Sequence, residues 1–170
     1  MRKYSYLFAF LLVASALAFN GCPNGIDSIL PIQNNEVRAN IADYGSFDSK
    51  DATTLSSQFT FDIKAPIQGE SGGDTLVVTL LVPKQATAPY TVTVQNDDHA
   101  RIDYCVQQSS GICVNYDAYK NFGAGTITVN SITTEGTVTV MQGTFSGSLK
   151  ASGGGSGTKT ITNGEFKVAF

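Results

Sequence analysis

The 170-residue sequence has no tryptophan, one histidine and three cysteines, and only 15% of its residues are charged. With a single histidine, a Ser-His-Asp triad has only His99 to use. That residue sits in Asn96-Asp97-Asp98-His99-Ala100, a solvated turn pattern. There is no Gly-x-Ser-x-Gly elbow and no zinc-ligand spacing. The glycines between Gly153 and Gly157 join two β-patterned arms, whereas a phosphate-binding loop opens a helix. Lysine and arginine form no cluster and the net charge is −3, so a nucleic-acid backbone finds no counter-charge. Asp48 with Asp51, and Asp97 with Asp98, offer oxygen ligands, but neither stretch has ligands at alternate positions around a fixed glycine, as a calcium loop does. Paired carboxylates for glycoside hydrolysis have no sequence signature, because their separation is set by the fold. The expectation is a protein with no catalytic residues, no metal, no cofactor and no nucleic-acid partner.

Helical periodicity is also missing beyond the N-terminal segment, while Thr, Ser, Gly, Val and Ile dominate. Val37, Ala39 and Ile41 alternate in a first strand over Glu36 to Tyr44, and Phe59, Phe61 and Ile63 in a second over Gln58 to Lys64. Between them, Ser46 to Ser57 reads as a polar connection anchored by Phe47. Pro66 to Asp74 reads as a loop. Thr75 to Val82 is apolar on both faces, as a central strand is, and Pro83 ends it. Tyr90, Val92 and Val94 form the next strand, then Ile102, Tyr104 and Val106, then Ile112, Val114 and Tyr116. Asn115 to Gly125 reads as irregular, and Ala124 to Ile132 as a strand with Ile127 and Val129 inward. The pattern predicts one all-β domain over residues 36–170, an antiparallel two-sheet β-sandwich of about 8–9 strands, with a closed β-barrel as the alternative.

The last third, Gly136 to Phe170, reads as two long strands around a glycine-rich turn. Val138 and Val140 are even-numbered while Phe145, Leu149 and Ala151 are odd, which predicts a β-bulge at Gln142-Gly143. In the second arm Ile161 is odd but Phe166, Val168 and Phe170 are even. Asn163-Gly164 stands at that change, and both residues tolerate positive φ. The final strand is expected in the core, with donation of that strand to another chain as the alternative.

Arg2 and Lys3 precede an apolar run, Tyr4 to Phe19, that is too short for the roughly 20 residues a membrane span needs. Small residues and Cys22 follow, so residues 1–21 read as an export signal. Cleavage after Ala18 competes with a lipoprotein pathway in which Cys22, directly after Gly21, is acylated and becomes the new terminus. Gly21-Cys22 resembles a bacterial lipobox, with Phe19 where Leu is usual. Three cysteines in an exported chain leave one odd thiol unless lipid consumes it, and Cys22 is that residue. Multiple acylation would hold the protein on the lipid bilayer without a spanning helix. Residues 22–35, with Pro23, Gly25 and Pro31, read as a tether, and Ile26, Ile29, Leu30 and Ile32 suggest that part of it packs down.

The other two cysteines mirror each other as Tyr104-Cys105-Val106 and Ile112-Cys113-Val114, the pattern of a hairpin bridged by a disulfide. On the loop-entropy view such a bridge adds roughly 2.5 kcal/mol. No cation or helix start accompanies either thiol, so no redox role is expected. Just beyond, Tyr116, Tyr119 and Phe122 are the candidate binding surface, since a loop aromatic cluster stacks on sugars or anchors a protein partner. Their competing role is to cap the end of the core, and the absence of tryptophan weakens the sugar reading.

Gly143-Thr144-Phe145-Ser146-Gly147-Ser148-Leu149, followed by Ile161-Thr162-Asn163-Gly164-Glu165-Phe166 and preceded by Gly125-Thr126-Ile127-Thr128-Val129, resembles a family of uncharacterised small lipoproteins of Bacteroidota and related bacteria. The likeness covers Gly123 to Phe170; toward the N-terminus, Asn40-Ile41 and Phe47 depart from the family pattern. The resemblance implies an envelope β-domain and no catalytic residues. The expected protein is therefore a non-catalytic accessory lipoprotein, lipid-anchored in the outer membrane of a bacterial envelope and docked on a larger envelope protein assembly. A carbohydrate-binding module is the alternative.

Overall fold

The computed structural model describes residues 34–68, 75–108, 110–153 and 155–170. The predicted signal, Cys22 and the tether up to residue 33 lie outside them. Eleven antiparallel strands run in chain order: β1 (Glu36–Ile41), β2 (Gly45–Ser49), β3 (Thr53–Ser56), β4 (Thr60–Gln68), β5 (Thr75–Pro83), β6 (Tyr90–Thr93), β7 (Arg101–Gln107), β8 (Cys113–Ala118), β9 (Ala124–Glu135), β10 (Val138–Gly153) and β11 (Thr158–Ala169). The only described helical turn is 3₁₀, at Val94–Asn96.

Strand β10 is the junction of the sheet. One edge pairs with β11 from Val140 to Lys150. The other pairs with β9 as far as Ser148 and with β8 from Lys150 on. The strand thus leaves one layer and enters the other. The first layer runs β2-β1-β11-β10-β9-β6 and the second runs from the end of β10 through β8-β7-β5-β4 to β3. The path stays open, so the barrel alternative does not hold and the fold is the predicted antiparallel β-sandwich. Hydrogen bonds tie the layers together at their rims: Ser49 Oγ donates to the Pro66 carbonyl, Tyr90 Oη to Pro83 and Thr54 Oγ1 to Ala169.

Two strands exceed the expected eight or nine because the Ser46–Ser57 stretch folds as β2 and β3 rather than as a connection. Each is so short that its alternation is barely visible, with Phe47 and Ser49 the inward residues of β2. The Pro66–Asp74 loop is likewise shorter than read, since β4 continues through Gln68. Residues 69–74 lie outside the described residues. β8 starts at Cys113 and runs to Ala118, taking four residues from the stretch read as irregular, and leaves Ile112 62% exposed.

The predicted bulge at Gln142-Gly143 is on the partner strand. Gln142 pairs with Ser131 and Gly143 with Val129, so the extra residue is Asn130 in β9. β10 keeps one parity from Met141 through Gly143, Phe145 and Leu149, all buried. Val140 is buried outside the core cluster and Val138 is exposed. In β11 the change of face falls where expected. Asn163 takes φ 51°, and the register against both β10 and β1 shifts there.

Gly164 serves a different need. Gly143 pairs with Phe166 and Phe145 with Gly164. A Cβ on Gly164 would lie 2.7 Å from the Phe145 ring, and one on Gly143 2.5 Å from Cζ of Phe166. Each glycine makes room for the phenylalanine opposite, and the two rings pack with centroids 6.5 Å apart. β11 lies between β1 and β10, so it is an interior strand and not the free edge that strand donation requires. Phe166 and Val168 are fully buried, and Phe170 packs on Phe61 with centroids 4.7 Å apart. Gly164→Ala is expected to destabilise the domain by about 1–3 kcal/mol through overpacking, and Phe166→Ala by about 3–5 kcal/mol through a cavity. Denaturant midpoints of the two variants check both values. An alanine at residue 164 that leaves the midpoint unchanged would show that the Phe145 ring yields freely.

Candidate functional site

The aromatic residues singled out from sequence divide between core and surface. Tyr116 faces inward from β8, is 8% exposed and packs beside Tyr104 in the core. It is therefore no part of a binding surface. Its even position in β8 places it between Val114 and Ala118 on the inward side. Tyr119 and Phe122 do come together, across a tight turn in which each backbone N–H donates to the other's carbonyl at 2.8 Å. Their rings stack with centroids 5.0 Å apart. Arg101 lies over the Tyr119 ring at 5.4 Å and Lys150 over Phe122 at 5.8 Å. A ring face already covered by another ring does not also take a cation, so the stack is capped by charge on both sides. Little π surface is left for a sugar.

Beside this stack lies a charged row that sequence reading missed. The register aligns Lys64 of β4, Thr79 of β5, Asp103 of β7, Asp117 of β8 and Lys150 of β10 across the outer face of the second layer. Asp103 and Asp117 pair directly. Arg101 Nε donates to Asp103 Oδ1 at 2.5 Å, while Arg101 Nη2 stands 3.5 Å from Asp117 Oδ1. Burial pushes the Asp103 carboxyl up to about 7. The Arg101 guanidinium works against that rise, and the like charge of Asp117 adds to it. The disulfide occupies the same outer face, with Cys105 opposite Asn115, Cys113 opposite Gln107, and the two Cα atoms 5.7 Å apart.

Of the remaining sequence candidates, His99, Asp97, Asp98 and Asp48 already have protein partners. His99 stacks on Phe59 at 5.3 Å, and its backbone N–H donates to Asp97 Oδ1. Lys120 Nζ holds Asp98 at 2.7 Å. Asp48 faces Arg38 and Lys50. Its carboxyl is raised by burial and then by the neighbouring Glu36, which is itself fully buried and bound to Arg38. A cavity of about 670 Å³ opens beside Asp48, Lys50 and Asp51. Among the described residues no three His, Cys, Asp or Glu side chains are placed to hold a metal ion.

The outer face of the first layer is built differently. β6 turns Thr91 and Thr93 outward, β9 Thr126 and Thr128, β10 Thr144, Ser146 and Ser148, and β11 Thr160 and Thr162. Thr93, Thr126 and Ser146 align across three strands, and Ser148 aligns with Thr160. They border a shallow groove of about 360 Å³ whose described lining carries no charge. The signal in the sequence was hydroxyl residues at alternate positions in four separate strands. Only the pairing order makes one surface of them.

Comparison with protein families, with curated proteins and with solved structures finds no match to this chain.

Asp103 carries a pH prediction. Its folded pKa lies above the ordinary carboxyl value of 3.8, so the folded state holds a proton that the unfolded chain has lost. Its contribution therefore makes the domain more stable as pH falls from about 7 toward about 4, opposite in sign to a carboxylate stabilised as the ion. Asp103→Asn should abolish this contribution, so the stability difference between wild type and variant should shift in favour of the wild type as pH falls across that window, measured by denaturant unfolding. A difference independent of pH would show that Asp103 is already ionised throughout.

Proposed function

We propose that the chain is a non-catalytic envelope lipoprotein, anchored through an acylated Cys22, that docks on a larger envelope protein through the free edge of β3. The observation that carries docking is the character of that edge. β3 ends the strand path and pairs only with β4. Its four residues, Thr53-Thr54-Leu55-Ser56, include no charge and no proline, the usual devices that keep an edge from pairing. Leu55 is 67% exposed, and Phe59, in the turn between β3 and β4, is 57% exposed. An edge with no charged residue of its own, met by a cation only at its end where Lys84 Nζ donates to Ser56 Oγ and the Ser57 carbonyl, suits an extended strand of a partner, the partner's backbone supplying affinity and Leu55 and Phe59 its side-chain contacts.

Anchoring is supported by Gly21-Cys22 at the end of an apolar run, by the pairing of the other two cysteines with each other, and by the resemblance to small envelope lipoproteins. The reading that Tyr116, Tyr119 and Phe122 bind a sugar loses support, because one is core and the other two are engaged by cations.

Two variants test the proposal. Cys22→Ser should move the protein from the membrane to the soluble fraction, and an unmodified thiol in the intact mass of membrane-extracted protein would defeat the anchor. Leu55→Lys places a charge on the edge at an exposed position, with a stability change within about 0.5 kcal/mol. Affinity purification from gently solubilised membranes should then lose the proteins that accompany the wild type. Their retention at wild-type yield would rule out β3 as the docking edge.

A further inference from the structure

The hydroxyl-lined groove on the first layer has no part in the docking reading, and the two outer faces of the sandwich differ in a way that strand propensity does not explain. Threonine favours strands, so outward threonines alone mean little. The outer face of the second layer nevertheless mixes its threonines with Asp62, Lys64, Arg101, Asp103, Asp117 and Lys150. Across β6, β9, β10 and the first half of β11, every outward position from Thr91 to Thr93, Thr126 to Thr128, Thr144 to Ser148 and Thr158 to Thr162 is threonine or serine.

The state of those hydroxyls is the second observation. Some hydroxyls elsewhere are used by the fold: Ser49 and Thr54 bridge the layers, and Ser57 with Thr60 closes the β3–β4 turn. On this face Thr91 and Thr128 bond each other at 3.0 Å. Among the described residues, the side chains of Thr93, Thr126, Ser146, Ser148, Thr160 and Thr162 make no hydrogen bond to protein. They point into one groove, spaced by strand geometry at roughly 4.8 Å between strands and roughly 6.8 Å along them.

From this we infer that the groove is a binding site for a neutral, unbranched polysaccharide lying across β9, β10 and β11. A hydroxyl both donates and accepts, so a grid of them matches a ligand whose own hydroxyls repeat at regular intervals. A charged ligand finds no ion partner in the lining, and an apolar ligand finds too little apolar side chain to cover it. The shallow trough suits a chain laid along the surface and not a small molecule enclosed by it.

The test uses the full-length protein in detergent and its sedimentation with insoluble cellulose, curdlan and mannan, with alginate as the charged control. At least one neutral polysaccharide should retain the wild type, a soluble neutral glucan should compete, and alginate should not. The triple variant Thr126→Val, Ser146→Ala, Thr160→Val should lower retention about tenfold, the size of one or two lost hydrogen bonds. Ser146→Lys, a single exposed change, should do the same with unaltered melting, which covers the case of a triple variant that fails to fold. Leu55→Lys should leave retention unchanged, so failure of docking and failure of glycan binding are read separately. The inference is overturned if no neutral polysaccharide retains the wild type, if both groove variants bind as well as it does, or if alginate is retained equally. Loss of binding in Tyr119→Ala but not in Ser146→Lys also overturns it, by moving the site to the aromatic stack. So does inhibition of ice growth without glycan retention, since an ordered water lattice would then be what the hydroxyl grid matches.

Discussion

The fold depends on a reciprocal fit between β10 and β11, in which Gly143 lies under Phe166 and Gly164 under Phe145. A side chain at either glycine would collide with a backbone carbonyl as well as a ring, so these strands approach only because both positions are empty. That approach sets the register of β11, and β11 then holds β1 on its other edge. β10 passes on to β8 and so carries the same register into the second layer. Asn163 completes the arrangement. By taking a left-handed conformation it lets Ile161 and Phe166 both face the core although their positions differ in parity.

The electrostatics follow from which layer a residue joins. Charges concentrate on the outer face of the second layer, where Arg101 serves two carboxylates and an aromatic ring at once. Asp103 and Asp117, directly opposed across two strands and largely shielded from water, would repel each other strongly without it. The first layer's outer face holds its charges on β1, β2 and the second half of β11, where Glu36, Arg38, Asp48, Glu165 and Lys167 lie, and leaves the stretch across β6, β9, β10 and the first half of β11 to hydroxyls. The sandwich therefore presents three unlike surfaces: a charged face, a hydroxyl face and an uncharged apolar edge. The carboxylates of the charged cluster are engaged by the Arg101 guanidinium.

Alternation was enough to identify the long strands. β5, apolar on both faces, lies between β4 and β7 as a central strand should. The paired cysteines are bridged, and the face change at Asn163-Gly164 falls where two residues tolerant of unusual φ were adjacent. The misreadings share a cause. β2 and β3 have too few residues for a period of two to show, and the bulge beside Gln142 belongs to β9, because a parity change names a mismatch between strands without saying which one holds the extra residue. Tyr116 was grouped with Tyr119 and Phe122 by nearness along the chain, although the end of β8 separates a core position from two turn positions.

By itself, the sequence determined that the chain forms strands, buries Phe166 and Val168 and bridges its paired thiols. These follow from local propensity and period, which act over a few residues and need no knowledge of neighbours. Which strands lie side by side was decided only in three dimensions. Asp103 meets Asp117, and Thr93 joins Thr126 and Ser146, through hydrogen-bonded pairings between distant segments. A surface is a property of strand order, and strand order arises from the packing of one core, which no single segment encodes.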